Sequence, residues 1–506
     1  MAIQGGKRIG PLLGIVGVGT GLASAQLIAS FGSKLHNPIV SLGNRVIDHV
    51  PPSLKDFAIK TFGTNDKSAL VISISIIVLA FSALIGKLYF SEGKKKAYLL
   101  IYSLTAIAGL ASLFDAGANP FSLLPSIAAG ATTILILRLL DRKSTTSEMS
   151  EKEWSRRDLF KTLGIIGGGV LVATSVGRFL QSHASAQLQR LNVILPKPLK
   201  FLPAPPVDPA LTTPGLSTLF TPNSEFYRID TAISVPNIDV DAWRLKIGGF
   251  VANQLEFTYK ELCARPVFEL DDTIACVSNE VGGYLVGNAR WLGVRLDDLI
   301  KEAKPSSTAD QVMGYSSDGF SAGFPLAVLD GRDAMIAIGM NGKPLPLEHG
   351  FPARIIVPGL YGYVSATKWL TYIELTRFDK KQGYWVPRGW SALGPIKTQS
   401  RIDTPQDGGS IKAGRVAIAG VAWAPTRGVT RVEVQVNQSP WRDAVLGPEL
   451  AKTTWRQWWI DWNATSGQST IAVRATDGTG MTQSSTIVSL APNGAEGWHT
   501  IRVTVN

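Results

Sequence analysis

Ala275-Cys276-Val277-Ser278-Asn279-Glu280-Val281-Gly282-Gly283 carries one of the chain's two cysteines out of a β-rich run, Phe268 to Val277, into a polar, glycine-containing loop. Such a junction lets a side chain face a pocket from a rigid support. A thiolate there suits a soft, high-valent metal, and coordination would keep it deprotonated. The blander role is a buried, inert cysteine, the usual fate of a lone one. Cys263, in a helical stretch, keeps that role. Two cysteines make no disulfide framework and lack the spacing of a zinc site, so stability has to come from burial.

Around this junction strand-like runs alternate with short helical ones. Trp243 to Val251, Gln311 to Tyr315, Asp333 to Ile338 and Ala353 to Pro358 read as strands, Thr258 to Ala264 and Arg295 to Ala303 as helices, and Asn341-Gly342 as a tight turn. The pattern predicts a mixed α+β domain over 217–394. From 395 to 506 the chain changes: Val432, Val434 and Val436 alternate with Arg431, Glu433 and Gln435, as do Ile501, Val503 and Val505 with their neighbours. Half-buried antiparallel strands look like this, and the expectation is an immunoglobulin-like sandwich. Trp455, Trp458, Trp459 and Trp462 suit a carbohydrate site or, with better reason, core and interface packing.

The cysteine loop is followed by Gly287-Asn288-Ala289-Arg290-Trp291-Leu292-Gly293-Val294, then Met340-Asn341-Gly342-Lys343-Pro344-Leu345-Pro346, His349-Gly350-Phe351-Pro352-Ala353-Arg354, and Tyr361-Gly362 through Lys368-Trp369-Leu370. In this order the motifs resemble the molybdenum-binding region of the sulfite oxidase family, over roughly the last three hundred residues. The resemblance implies a molybdenum–molybdopterin cofactor with Cys276 as the protein's ligand and catalytic residue, the other ligands being the pterin dithiolene and oxo or hydroxo groups. It carries cofactor contacts onto Asn223, Tyr227 and Arg228 in Asn-Ser-Glu-Phe-Tyr-Arg, onto Ser316, onto His349 and Arg354 flanking a Gly-Phe-Pro turn, and onto Ser365, Ala366 and Lys368. Arginine can grip a phosphate in two-pronged fashion, and backbone N–H groups and an ammonium suit an anion. Taken singly each has a plainer role: Arg354 could pair with a carboxylate and His349 could be a turn residue. The resemblance also implies homodimerisation through the C-terminal domain.

Departures from the family pattern bear on substrate. Sulfite-oxidising members place arginine shortly after the metal cysteine, where Glu280 and Val281 stand here, and a tyrosine where Ile338 stands. A dianionic substrate would want those groups, so a neutral S-oxide or N-oxide competes with sulfite as the small-molecule substrate.

The rest of the chain is of another kind. Hydrophobic residues make up 45% and charged residues 18% of 506, which points to membrane and globular parts in one chain. Four uncharged apolar stretches, about 12–31, 68–86, 97–114 and 121–137, approach the ~20 residues that cross a bilayer core. A fifth, about 163–180, is glycine-rich, and the five make up a region 1–182. The net charge of +11 does not argue for nucleic acid, because many cations flank these stretches. Lys7 and Arg8, Lys87 with Lys94 to Lys96, and Arg138 to Lys161 fall on one side, whereas Asp115 to Asn119 has no cation. The positive-inside rule then puts the N-terminus in the cytoplasm and everything after the fifth span outside the cell membrane. Ser155-Arg156-Arg157-Asp158-Leu159-Phe160-Lys161 resembles a twin-arginine export signal set inside the chain, and Ala184-Ser185-Ala186 a peptidase site; retention of the anchor is the expected outcome. The segment 183–216, rich in proline, predicts a stiff spacer without a core. His36, His49 and His183 all lie outside the five stretches, so no haem is expected and electrons pass to or from a separate carrier. Two other functions compete: a non-catalytic extracytoplasmic receptor on the same fold, and a cysteine hydrolase with His349 as base.

Overall fold

A computed structural model describes residues 3–31, 35–50, 61, 66–115, 118–145, 186–206, 213–232 and 235–506. The fifth apolar stretch, the twin-arginine segment and all but the last residue of Ala184-Ser185-Ala186 lie outside the described residues. The chain divides into two compact units, residues 1–188 with 231–238, and residues 189–230 with 239–506.

In the first unit α1 (Ile3–Ala29), α2 (Pro38–His49), α3 (Asp66–Lys87), α4 (Lys94–Leu113) and α5 (Leu124–Thr145) follow one another. Four windows, Ile9–Ala29, Ile72–Ser91, Lys94–Leu113 and Pro120–Asp141, are long and apolar enough to cross a membrane. They match the first four stretches read from hydropathy. Helices of this kind associate through small residues that let backbones approach. Gly14 shows why: a Cβ there would lie 2.1 Å from Ser82 O. Between the first two stretches lies the shorter helix α2. Asn37 caps α2 by accepting from Ile39 N at 2.9 Å, and Ser41 Oγ donates to the buried Asp115 carboxylate at 2.5 Å. Its polar stripe gives no hydropathy signal, so the helix shows only in its packing.

The second unit opens with α6 (Ala186–Asn192) and holds β1 (Arg244–Gly249), β2 (Leu255–Thr258), α7 (Tyr259–Cys263), β3 (Val267–Ala275), β4 (Val286–Arg295), α8 (Leu296–Ala303), β5 (Gln311–Ser316), β6 (Ser321–Pro325), β7 (Met335–Met340), β8 (Lys343–Pro344), β9 (Arg354–Ile356), α9 (Gly362–Ser365) and β10 (Leu370–Thr376). They build one sheet of order β2-β1-β10-β5-β6 and a second of order β3-β4-β7-β8, with β9 paired to β7. The Asn341-Gly342 turn closes β7 on β8 with both residues at positive φ, 51° and 74°, as a two-residue hairpin turn requires.

The described part of the proline-rich stretch is extended and lies against β3. Leu199 N donates to Val267 O at 3.0 Å, Leu202 N to Glu269 Oε2 at 2.7 Å, and Arg290 to the carbonyls of Leu202 and Pro203. β3 is an edge strand, and the extended segment gives one of its outer carbonyls, that of Val267, a backbone partner.

Beyond Arg388 the chain forms two more sheets. One has the order β11 (Gln399–Thr404), β13 (Gly414–Trp423), β17 (Arg456–Ala464), β16 (Val445–Leu446); the other β12 (Ser410–Ile411), β19 (His499–Val505), β18 (Gly467–Asp477), β14 (Val429–Val436), β15 (Arg442–Asp443). Ile418, Val432, Val434, Trp458, Ile471, Val473, Ile501 and Val503 share a single core between them. Trp455 sits at the seam with the preceding sheet: its backbone N donates to Thr273 Oγ1 at 2.6 Å and its Nε1 to Leu219 O at 2.8 Å. Interface packing is therefore its role.

Candidate active site

Cys276 leaves β3 with the ladder still intact, its N–H donating to Leu285 O at 2.9 Å. Asn279 then ties the loop to itself, its N–H reaching Cys276 O at 3.0 Å and its Oδ1 accepting from Leu285 N at 2.7 Å. Two residues from the C-terminal sheets brace it from outside. Gly282, at φ +77°, lies so close to the His499 ring that a Cβ there would be 2.2 Å from Cδ2. Arg401 donates to Gly283 O and to Ser217 Oγ, each at 2.9 Å, pairs with Asp403 at 2.6 Å, and lies 4.6 Å over the Tyr284 ring.

The thiol itself is buried, and Sγ accepts from Ser278 N at 3.4 Å. Burial pushes its pKa up, with Ser278 pulling back, so an unliganded Cys276 stays a thiol and a metal would have to displace its proton. Among the described residues no group of three His, Cys, Asp or Glu side chains gathers as a metal cage. A metal at Cys276 would take its remaining ligands from a cofactor.

Of the residues carried over from the motifs, Tyr227 lies close enough to Cys276 to feel its charge. Tyr227 stacks on Phe226 with ring centres 5.4 Å apart, and burial of its hydroxyl raises its pKa, helped by Cys276. Phe226 meets Trp291 at 5.9 Å and His349 at 5.6 Å, both edge-on. Asn223 fastens this side: its Nδ2 donates to Met340 O at 3.2 Å, its Oδ1 accepts from Asn341 Nδ2 at 2.8 Å, and its carbonyl bonds His349 Nε2 at 3.1 Å. Buried beside Arg354 and Lys368, His349 has its pKa lowered to about 4, first by desolvation and then by those cations, so it is neutral.

Arg354 is buried, lies 5.2 Å over the Trp291 ring and donates from Nη1 to His349 O at 3.1 Å. Its Nε has no partner, and no carboxylate among the described residues pairs with it. Burial pulls its pKa down to about 10. A desolvated guanidinium without an anion is a costly arrangement unless a ligand supplies one.

Lys368 differs. Its Nζ donates to Asp230 Oδ2 at 2.8 Å and Glu348 O at 3.0 Å, and the same Asp230 oxygen takes Arg228 Nε at 2.8 Å. Burial lowers the Lys368 pKa to about 8 against the pull of Asp230. Asp230 is the acid that organises both cations. Reading the sequence missed it, although its spacing two residues after Arg228 was a signal. Ser316 Oγ accepts from Asp318 N at 3.4 Å, and Ser365 Oγ bonds back to Tyr361 O at 3.1 Å. The N–H of Ala366 is taken by Gly362 O at 2.9 Å, which corrects its reading as a donor open to an anion. Arg401 and His499 were also missed; they come from another part of the chain and no local pattern announces them.

A buried thiol at a strand end and, on the same sheet, a buried guanidinium that lacks an anion are features that an anionic, metal-bearing cofactor fits. Residues 232–385 match the family model described as "Oxidoreductase molybdopterin binding domain". Mitochondrial sulfite oxidase of Homo sapiens is 29% identical over 339 residues, 56% of this chain and 62% of that protein. An uncharacterised oxidoreductase of Bacillus subtilis, YuiH, is 31% identical over 156 residues, 31% of this chain and 76% of that protein. The solved structure of the sulfane dehydrogenase SoxCD from Paracoccus pantotrophus aligns with a TM-score of 0.49 at 20% identity, over 63% of this chain and 90% of that one. The chain belongs to the sulfite oxidase family of molybdopterin-dependent oxidoreductases. It spans 62% of the length of the human relative.

Proposed function

We propose that this chain is a membrane-anchored enzyme that carries out two-electron redox at a molybdenum–molybdopterin cofactor, by oxygen-atom transfer on a small S- or N-containing substrate outside the cytoplasmic membrane. The observation that carries this reading is Arg354, a buried guanidinium whose Nε has no partner, on the sheet that delivers the buried Cys276 thiol. Cys276 would hold the metal. Arg354, with Lys368 and Arg228, would face the cofactor's anionic end, Tyr227 and neutral His349 would line it, and Asn223, Ser316, Ser365 and Ala366 would shape its cradle. The cofactor would supply the two-electron redox couple. Tyr227 would serve as a neutral phenol donor, since burial disfavours its ionised form.

The rim of the site favours a neutral substrate over sulfite. Glu280 and Tyr284 are exposed there, and fully buried Ile338 offers no hydrogen bond. The Glu280 carboxylate, in the loop after Cys276, repels a dianion, whereas an S-oxide or N-oxide brings no net charge. Purified full-length protein, assayed with dye electron donors and acceptors, is expected to reduce sulfoxides or N-oxides faster than it oxidises sulfite. Faster sulfite oxidation would reverse the substrate assignment, and absence of molybdenum from protein made in a cofactor-competent host would end the reading.

The four apolar helices carry large exposed side chains such as Ile72, Ile76, Leu99 and Leu135, which suit lipid. With the cytoplasmic lysines they support a multi-pass anchor with the N-terminus inside, and the twin-arginine pattern supports export of an already loaded domain. A separate electron carrier, an immunoglobulin-like C-terminal sandwich and a homodimer formed through it complete the proposal. Protease protection in spheroplasts would reverse the topology if the residues after 217 proved shielded.

A further inference from the structure

Asp272 is a buried acid that has no part in the site described above. β3 and β4 pair Asp272 with Ala289, flanked by Leu270 with Trp291 and Ile274 with Gly287. Directly opposed residues share a face, and alternation places Asp272, Ile274 and, just past the strand end, Cys276 on it. This is the face of the proposed cofactor site: Phe226 lies against Gly287, where a Cβ would be 2.7 Å from its ring, and Arg354 lies over Trp291. The opposite face carries Asp271, paired to Arg290 at 2.7 and 2.8 Å, and Thr273, bonded to Asn288 Oδ1 at 3.0 Å.

The two neighbouring acids therefore have opposite surroundings. Asp271 has its arginine. Asp272 is fully buried, and neither of its carboxyl oxygens has a hydrogen-bond partner. The adjacent Thr273 N–H exerts a downward pull on its pKa, but that N–H is bonded to Thr453 O at 3.0 Å. Native interiors rarely leave such a group without donors, so this one is built for something that brings them.

We propose that Asp272 recognises the amino-pyrimidine edge of the bound pterin, its two oxygens accepting from the ring N–H and the exocyclic amino group. The assignment rests on the cofactor reading above. Two parallel acceptors match two parallel donors, as in a carboxylate that takes a guanidinium in bidentate fashion. Asp272 lies four positions before Cys276, about 13 Å along the strand. A group fixed at Cys276 through its metal reaches Asp272 only with its far end, and the far end of a pterin carries those donors.

The test uses full-length wild type, Asp272→Asn and Asp272→Leu, each made in a cofactor-competent host and in one unable to make molybdopterin. Pterin retained through gel filtration is measured by fluorescence after oxidative release, and heat stability is measured on the cofactor-free proteins. The expected result is pterin retention falling about ten- to a hundredfold in Asp272→Leu and less in Asp272→Asn, which keeps one acceptor. Cofactor-free Asp272→Leu is expected to be more heat-stable than cofactor-free wild type, because an unpartnered buried polar group is removed. Unchanged retention in Asp272→Leu beside a loaded wild type would show that buried water alone meets the carboxyl, and would overturn the assignment. So would a cofactor-free variant that unfolds earlier or fails to fold, since the carboxyl would then have a structural partner. A wild type without pterin would bring down the cofactor reading itself, and this assignment with it.

Discussion

Arg401 donates to Gly283 O across 2.9 Å, which fastens the loop that carries Cys276 to a strand of the C-terminal sheets. The same guanidinium pairs with Asp403, and the two side chains are only 3% and 2% exposed. Replacing Arg401 by Gln leaves that carboxylate buried without its cation, a change that costs about 3–5 kcal/mol. Thermal unfolding of the purified chain in detergent should show a melting point lowered by several degrees, with Arg401→Lys in between. A melting point equal to wild type would mean that the contact contributes nothing to the loop.

Gly282 takes a positive φ with the His499 ring against its backbone. Gly282→Ala meets both obstacles, the left-handed conformation costing roughly 1–2 kcal/mol and the ring adding a steric clash. Adding His499→Ala should relieve the clash but not the backbone strain, so the double variant is expected to recover part of the lost stability. Recovery to the wild-type value would leave no cost for the conformation.

His349 gives the cofactor-free protein a pH dependence of known sign. Its pKa falls from an ordinary value near 6.5 to about 4 in the fold, so its contribution is present above 6.5 and is lost as pH falls through 4. A lowering of this size is equivalent to about 3 kcal/mol. Urea unfolding at pH 7 and pH 4 should show that loss in wild type and a shallower one in His349→Gln. Equal slopes in the two proteins would place the acid sensitivity elsewhere.

Arg354 should show opposite effects in the two forms of the protein. Arg354→Met keeps the volume over Trp291 and removes a buried cation without a carboxylate, so the cofactor-free variant is expected to melt no lower than wild type. Its molybdopterin content, measured after purification, is expected to fall at least about tenfold, as loss of one charge-assisted contact implies. Full retention would show that Arg354 does not face the anion.

Much of this architecture was legible from residue patterns. Strands β1, β3, β5, β7 and β9 and helices α7 and α8 fall where the strand-like and helical runs put them, and four apolar stretches are four long helices. β4 escaped as a strand because Gly287, Ala289 and Gly293 interrupt its apolar signal. Those gaps are where Phe226 and the backbone of Ile336 come close. Among the motif residues, Tyr227 and His349 pack on Phe226, and Arg354 lies over Trp291 and bonds His349 O. Their supports were hidden, since Arg401 reaches Gly283 across 118 positions and Lys368 reaches Asp230 across 138. Local periodicity carries no record of such distant pairings.

The account stands on sulfur from Cys276 bound to molybdenum. X-ray absorption at the molybdenum edge, on wild type and Cys276→Ser purified with their cofactor, tests it most directly. The wild-type spectrum should contain one more sulfur neighbour than that of the variant. Identical sulfur shells in the two proteins, or a wild type that carries no molybdenum, would contradict it.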